Sequence, residues 1–258
     1  MDYIHGETDE REVARLEKQA ILTAEMTFHR FDAAPGMRVL DLGTGVGAMA
    51  ERLAACFPGI ELVGLDLRES QLAVARRRHP VAEYVQGDAR AMPFGDATFD
   101  RVHGSWLLEH VADPARVLAE VRRVLKPGGY CHFVEVDNAT FGTEPPIAEV
   151  VAIMNAMNRA QQAAGGDPFV GSKLGALLEG ARFSAVRTWV TKMGGDAATR
   201  SLRERFVEEF AEIFEGLDES LGETMRDEIT RAAARLRQLP SIAGAAIFNH
   251  PVIGQGTR

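Results

Sequence analysis

The 258-residue chain carries 29 Lys and Arg against 37 Asp and Glu, a formal net charge of −8, and 46% of its residues are hydrophobic. That negative balance argues against a broad phosphate-neutralising surface, and so against nucleic acid as the partner. No apolar run reaches the roughly 18 residues needed to span a bilayer, residues 1–7 read as no secretory leader, and Cys56 and Cys131, without metal-ligand spacing, read as buried thiols of a soluble protein in a reducing cytoplasm.

In chain order, residues 11–31 have the period of an amphipathic helix, with Val13, Leu16, Ala20 and Phe28 on its inner face. Residues 37–42, a short apolar run ending at Gly43, read as a buried strand, followed by a helix over 46–56. Pro58-Gly59 breaks the chain before a second strand at 60–66. A helix over 69–78 is stopped by Pro80, and 82–86 and 99–103 read as the third and fourth strands. Asp113-Pro114 is a helix start, with Asp at the cap and Pro in the first turn. That helix buries Val117, Leu118, Val121 and Leu125, ends at Lys126-Pro127-Gly128-Gly129, and leads into a fifth strand over 130–136. Alternation at this spacing predicts right-handed βαβ units and a parallel sheet covered on both faces.

Beyond residue 136 the rhythm changes. Residues 138–146 read as a loop, 147–164 as a helix, 174–180 as a short helix feeding a strand near 183–191, and 202–239 as an amphipathic helix or helix pair. A last apolar stretch over 245–253 reads as an antiparallel edge strand. Residues 1–258 thus form one expected domain: a helical cap over 1–36, a ligand-binding core over 37–137, lid segments over 138–170 and 196–240, and the remaining core strands and helix over 171–195 and 241–258.

The chemistry is concentrated where the first strand runs into Asp41-Leu42-Gly43-Thr44-Gly45-Val46-Gly47-Ala48. Glycines between a parallel strand and its helix let the backbone approach a ligand, and the helix N-terminus offers unpaired N–H groups. Alone the signal is weak, since Gly43, Gly45 and Ala48 also satisfy the dinucleotide pattern. Asp66, ending the second strand, stands where a carboxylate takes both ribose hydroxyls. Gly87-Asp88-Ala89 offers a second carboxylate beside the same crevice, and Asp41 stands just before the glycines. Three acids oppose a pyrophosphate and favour a cation, so a positively charged nucleoside without phosphate fits better than NAD.

These residues resemble the class I S-adenosylmethionine-dependent methyltransferases, in particular their small-molecule and quinone-type branch. Over residues 37–136 the likeness rests on Val39-Leu40-Asp41-Leu42-Gly43-Thr44-Gly45-Val46-Gly47, Asp66, Gly87-Asp88-Ala89, Leu108-Glu109-His110-Val111-Ala112-Asp113-Pro114 and Val124-Leu125-Lys126-Pro127-Gly128-Gly129, in that order. It is weaker over Gly171-Ser172-Lys173-Leu174-Gly175-Ala176-Leu177-Leu178 and the last strand near 248–254. The resemblance implies an α/β, doubly wound, Rossmann-like sheet of seven strands, mostly parallel with an antiparallel last strand, and helical lid insertions. It implies S-adenosyl-L-methionine as cofactor, S-adenosyl-L-homocysteine as product, and no metal. It also implies Gly43 and Gly45 against the methionine moiety, Asp66 on the ribose, Leu67 along adenine or ribose, Asp88 and Ala89 at the adenine, and Ser105 beside the sulfonium.

Methyl transfer from a sulfonium is an in-line displacement, helped chiefly by alignment and by a base where the acceptor carries a proton. His110, on the crevice side after strand four, is a candidate for that base or for holding the loop backbone. Tyr3 and His5 precede the first helix, where related enzymes fold a segment over the cofactor; an unordered terminus is the alternative. His103 and His132 read as core, Trp106 as core or ligand contact, and Glu135 as facing toward or away from the crevice according to register. Met154, Met157, Phe206, Phe210 and Phe214 line an acceptor pocket, glue the lid to the sheet, or form a homodimer interface. The expected function is methyl transfer to O, N or C of a small apolar or aromatic molecule; a fold relative that binds the cofactor without transfer, as a cyclase or binding module, is the alternative. His103-Gly104-Ser105-Trp106 stands where nucleic-acid amino-methyltransferases carry an Asn/Asp-Pro-Pro-aromatic loop, and two cysteines are too few for an arsenic methyltransferase.

Overall fold

The apolar run at 38–42 becomes β1 (Arg38–Leu42), the centre of a seven-stranded sheet in a computed structural model that describes residues 9–217, 221–222 and 225–258. Ahead of it lies α1 (Glu10–Phe28), whose first turn is capped by Asp9 accepting from the Glu12 N–H at 2.8 Å. After β1 come α2 (Ala48–Cys56), β2 (Glu61–Asp66), α3 (Glu69–Arg78), β3 (Glu83–Gln86) and β4 (Phe99–Ser105). Then follow α4 (Pro114–Val124), capped by Asp113 through the Arg116 N–H, and β5 (Leu125–Glu135). The Lys126–Gly129 turn expected to end α4 is instead taken up at the start of β5, because its backbone pairs with the C-terminus: Arg258 N–H donates to Gly129 O at 2.9 Å.

Further along come β6 (Gly142–Glu144), α5 (Ala148–Ala163), α6 (Leu174–Gly180), β7 (Ser184–Val190), β8 (Met193–Gly195), α7 (Arg200–Glu215), α8 (Arg226–Gln238), β9 (Ala246–Asn249) and β10 (Val252–Thr257). The main sheet runs β3-β2-β1-β4-β5-β10-β7; β10 is antiparallel to both neighbours and the first five strands are parallel. Apolar cores cover both faces. One joins Leu118 and Val121 of α4 and Leu174 and Leu178 of α6 to the sheet, the other Phe28 of α1, Leu53 of α2 and Leu72 of α3.

Three sequence expectations need correction. The 245–253 stretch is no edge strand: β9 leaves the main sheet, β10 is inserted between β5 and β7, and β7 takes the edge. The expected loop over 138–146 holds β6, which with β9 and β8 forms a separate three-stranded sheet. Its pairing joins residues about a hundred positions apart, which no local pattern records. Finally, Cys56, at the end of α2, is exposed, while Cys131 is buried as expected.

The small sheet packs with α5, α7 and α8 around Ile153, Phe214, Ala232 and Leu236 as a second core standing beside the carboxyl ends of the parallel strands. Residues 202–239 therefore form a helix pair, and Met154, Phe206 and Phe214 belong to its interior. Among the described residues three ion pairs tie it to α1, Arg11–Glu215, Arg15–Glu209 and Lys18–Glu212, and the buried one is that of Arg15, which donates to Glu12 on its own helix and to Glu209 on α7, each at 2.7 Å. Burial pushes the Glu209 carboxyl up to about 7, against the pull of Arg15.

His103 and His132 are wholly buried, as expected, among Phe28, Phe31 and Tyr130. His132 is held by the Thr27 carbonyl at 2.8 Å and by Gln255; no partner reaches either ring nitrogen of His103. Burial lowers His103 well below the usual histidine range and His132 to about 4. The unfolded chain therefore binds protons that the folded chain refuses, so stability falls as pH drops below about 6.5 toward 4. His103→Phe, which keeps the ring and removes the titration, should move the midpoint of acid unfolding to lower pH without loss of stability at pH 7, as read by circular dichroism.

Candidate functional site

The parallel strands end in one crevice on either side of β1, where the chain order reverses and doubly wound sheets bind ligands. After β1 the backbone turns through Gly43 (φ +75°), Gly45 (φ +54°) and Gly47 (φ +81°), conformations that favour glycine. A Cβ on Gly43 would stand 2.9 Å from Leu107 Cδ1, so the bare backbone is what lets the Leu107 side chain pack against the loop.

Asp66 Oδ2, at the end of β2, accepts the Gly45 N–H at 2.9 Å, and Oδ1 accepts the Arg68 N–H at 3.0 Å. This carboxylate thereby sets the glycine loop. Burial raises its pKa, opposed by those backbone donors. Asp41 lies beneath the loop, buried, with Thr44 Oγ1 donating to it at 2.7 Å. Burial, with a smaller contribution from Asp66, pushes the Asp41 carboxyl up to about 7 despite that hydrogen bond. Asp88 is half-exposed and paired with Arg90 at 2.7 Å, which lowers its pKa.

A cavity of about 380 Å³ begins at these residues. Gly43, Gly45, Asp66, Leu67, Asp88, Ala89 and Ser105 all line it. Asp41 is buried beneath the loop and does not line the cavity, and Tyr3 and His5 lie outside the described residues. The far half is walled by Met157 of α5, Met193 of β8 and Phe210 and Ile213 of α7, with Asn138, Gln161 and Asn249 among them. Of the five lid residues with pocket, packing or interface as open readings, Met157 and Phe210 line the cavity, and Met154, Phe206 and Phe214 pack inside the lid core. The residues missed in the sequence, Met193, Asn138, Gln161 and Asn249, carry no motif and meet only through the second core.

His110 also lines the cavity, with Nε2 3.8 Å from Glu109 Oε1. Trp106, forced to φ +55°, lines it from the turn after β4. The turn holding both is fixed from behind by Glu135, whose register the sequence left open. Glu135 is wholly buried and accepts the N–H groups of Leu107, Leu108 and Glu109 at 3.3, 2.9 and 3.4 Å. Burial, with the nearby Glu109 charge, pushes it up to about 8 despite those donors. No group of three or more His, Cys, Asp or Glu side chains that could hold a metal occurs among the described residues, and no described helix is long and apolar enough to cross a membrane.

Residues 40–133 match the family model described as a methyltransferase domain. A demethylmenaquinone methyltransferase of Renibacterium salmoninarum is 43% identical over 110 residues, 43% of this chain and 46% of that protein; the chain thus spans about half of that relative's length. An uncharacterized methyltransferase, sll0829, of Synechocystis is 36% identical over 158 residues, 60% of this chain and 70% of the relative. Among solved structures, a SAM-dependent methyltransferase of Thermotoga maritima, titled a possible histamine N-methyltransferase, superposes with a TM-score of 0.60 at 19% identity, covering 96% of this chain and 94% of that one. At that identity the superposition speaks for the fold.

Proposed function

The chain belongs to the class I S-adenosylmethionine-dependent methyltransferases, and from that premise we propose that it transfers a methyl group to a small, largely apolar acceptor held between the glycine loop and the lid helices. The observation that carries the reading is one continuous cavity with two kinds of wall: Gly43, Gly45, Asp66 and Asp88 on one side, Met157, Phe210 and Ile213 on the other.

The residues present fit the cofactor. Asp66 and Asp88 line a crevice floored by the glycine loop, and the buried Asp41 beneath that loop, its pKa raised to about 7 by burial, gains from a cation above it. S-adenosylmethionine, when bound, supplies a methyl group on a positively charged sulfur. In this reading Gly43 and Gly45 admit its methionine portion, Asp66 holds the ribose, Leu67, Asp88 and Ala89 border the adenine, and Ser105 faces the sulfur. His110, steadied by Glu109, takes the proton released where the acceptor oxygen, nitrogen or carbon bears one. The lid excludes water from the reacting atoms, and alignment contributes on the order of 7–11 kcal/mol.

Calorimetry with S-adenosylmethionine and S-adenosylhomocysteine tests the binding half; absence of binding to either would sink the reading. Incubation with methyl-labelled cofactor and a metabolite extract tests transfer through release of S-adenosylhomocysteine and a labelled product. The pH profile adds a sharper check. An Asp41 carboxyl near 7 is protonated below that value, and a cation favours its ionised form, so binding of the sulfonium should weaken by up to about tenfold per pH unit below 7. Binding of uncharged-sulfur S-adenosylhomocysteine should show a flatter profile, and Asp41→Asn should flatten the first to match.

A further inference from the structure

Resting on the methyltransferase reading, we infer that the acceptor is an uncharged, ring-sized compound gripped at two polar points, taking a hydrogen bond from Asn249 Nδ2 and giving one to Gln161 Oε1. Both side chains are almost wholly buried, at 2% exposure, and both line the far half of the cavity. Their amides are oriented by the backbone. The His250 N–H can only donate, and it is shared between Thr140 Oγ1 at 2.9 Å and Asn249 at 2.8 Å, so the Asn249 atom facing it is the carbonyl oxygen Oδ1. The open end of Asn249 is therefore a donor. The Glu109 carbonyl and carboxylate can only accept, and they stand 3.1 and 2.8 Å from Gln161, so its –NH2 is spent there. Its open end is an acceptor.

Both residues line the cavity, where a ligand that meets these two amide ends replaces the water they would otherwise need. Met157, Met193, Phe210 and Ile213 line the same cavity and give it an apolar wall. Of the charged side chains that line the cavity, Glu109 is taken by Gln161, and the arginines are engaged or stand at its cofactor end. Arg15 is engaged by Glu12 and Glu209, Arg90 by Asp88, and Arg68 stands at the cofactor end, at the start of α3. Among the described residues no lysine lines the cavity and its arginines are Arg15, Arg68 and Arg90, so an anionic acceptor meets no counter-ion beside Met157 and Phe210, and a cationic one faces repulsion from the sulfonium. A neutral ring bearing one carbonyl-type and one hydroxyl- or amine-type group answers both amides.

Ligand-observed NMR on protein saturated with S-adenosylhomocysteine tests this with 3- and 4-hydroxyacetophenone as probes. At least one isomer should bind about tenfold more tightly than acetophenone, which lacks the donor for Gln161, and than 4-hydroxybenzoate or tyramine, which carry charge. Asn249→Asp keeps an oxygen for the His250 N–H and turns the open donor into an acceptor, so it should weaken the hydroxyketone about tenfold while S-adenosylhomocysteine affinity, read by calorimetry on the same samples, holds. Equal binding of the charged probes, unchanged binding in Asn249→Asp, or no hydroxyketone binding at all would overturn the inference. Failure of the wild-type protein to bind S-adenosylhomocysteine would instead overturn the cofactor reading, and this inference with it.

Discussion

Asp66→Ala should weaken S-adenosylmethionine binding by about 100-fold or more, measured by calorimetry at pH 7.5, with folding retained. Two contributions add. In the proposed complex Asp66 accepts from the ribose hydroxyls, and charge-assisted hydrogen bonds contribute about 1.5–3 kcal/mol each. In the protein itself the same carboxylate takes the Gly45 and Arg68 N–H groups at 2.9 and 3.0 Å, so its removal also loosens the glycine loop on which the cofactor would rest. Asp66→Asn separates the two. One amide oxygen can still serve the loop, whereas the charge and one acceptor are lost, so its affinity should fall between wild type and alanine. Equal affinities for wild type and Asp66→Ala would remove Asp66 from the cofactor site.

Glu135→Ala should destabilise the protein by about 3 kcal/mol, seen as a lowered midpoint in urea, and should depress methyl transfer more than cofactor binding. The buried carboxyl is the partner of three N–H groups in the turn over 107–109, and an unmet buried donor costs about 1–3 kcal/mol. The turn also presents Trp106 and His110 to the cavity, so its disorder acts on the acceptor half. Glu135→Gln retains an oxygen for Leu108 and should come close to wild type at pH 7. The sign of the pH effect follows from the raised pKa: ionisation is disfavoured in the folded state, so Glu135 contributes fully below about 4.5 and its contribution is lost as pH rises toward about 8. Glu135→Gln should flatten the decline in stability over that window.

The parallel half of the molecule was legible because its signals are local. Gly43, Gly45 and Gly47 need left-handed backbone within a single turn, Asp113-Pro114 starts α4 by geometry that spans four residues, and Asp66 and Asp88 follow directly from the ends of their strands. Alternating apolar runs and helical periods were enough for the order of β1 to β5. Family membership followed from the same stretch, since the matched region, residues 40–133, is the stretch in which the motifs lie.

The acceptor half could not be read in this way. Thr140 meets Asn249 across 109 positions, Gln161 meets Glu109 across 52, and Arg15 meets Glu209 across 194. Such contacts depend on which apolar faces find each other once the sheet exists, and a helical period says only that a face is apolar, not what covers it. For the same reason the apolar run over 245–253 does not reveal that β10 lies inside the main sheet and β9 in a second one. The orientation of Glu135 was likewise a matter of register, since one residue of slip would reverse it. The sequence by itself determined a parallel α/β sheet with a glycine loop and three carboxylates suited to a cationic nucleoside, because turns, caps and strand ends are written within a few residues. The tertiary structure alone decided the shape of the lid chamber and the amides that face it, because those side chains converge only when distant segments pack.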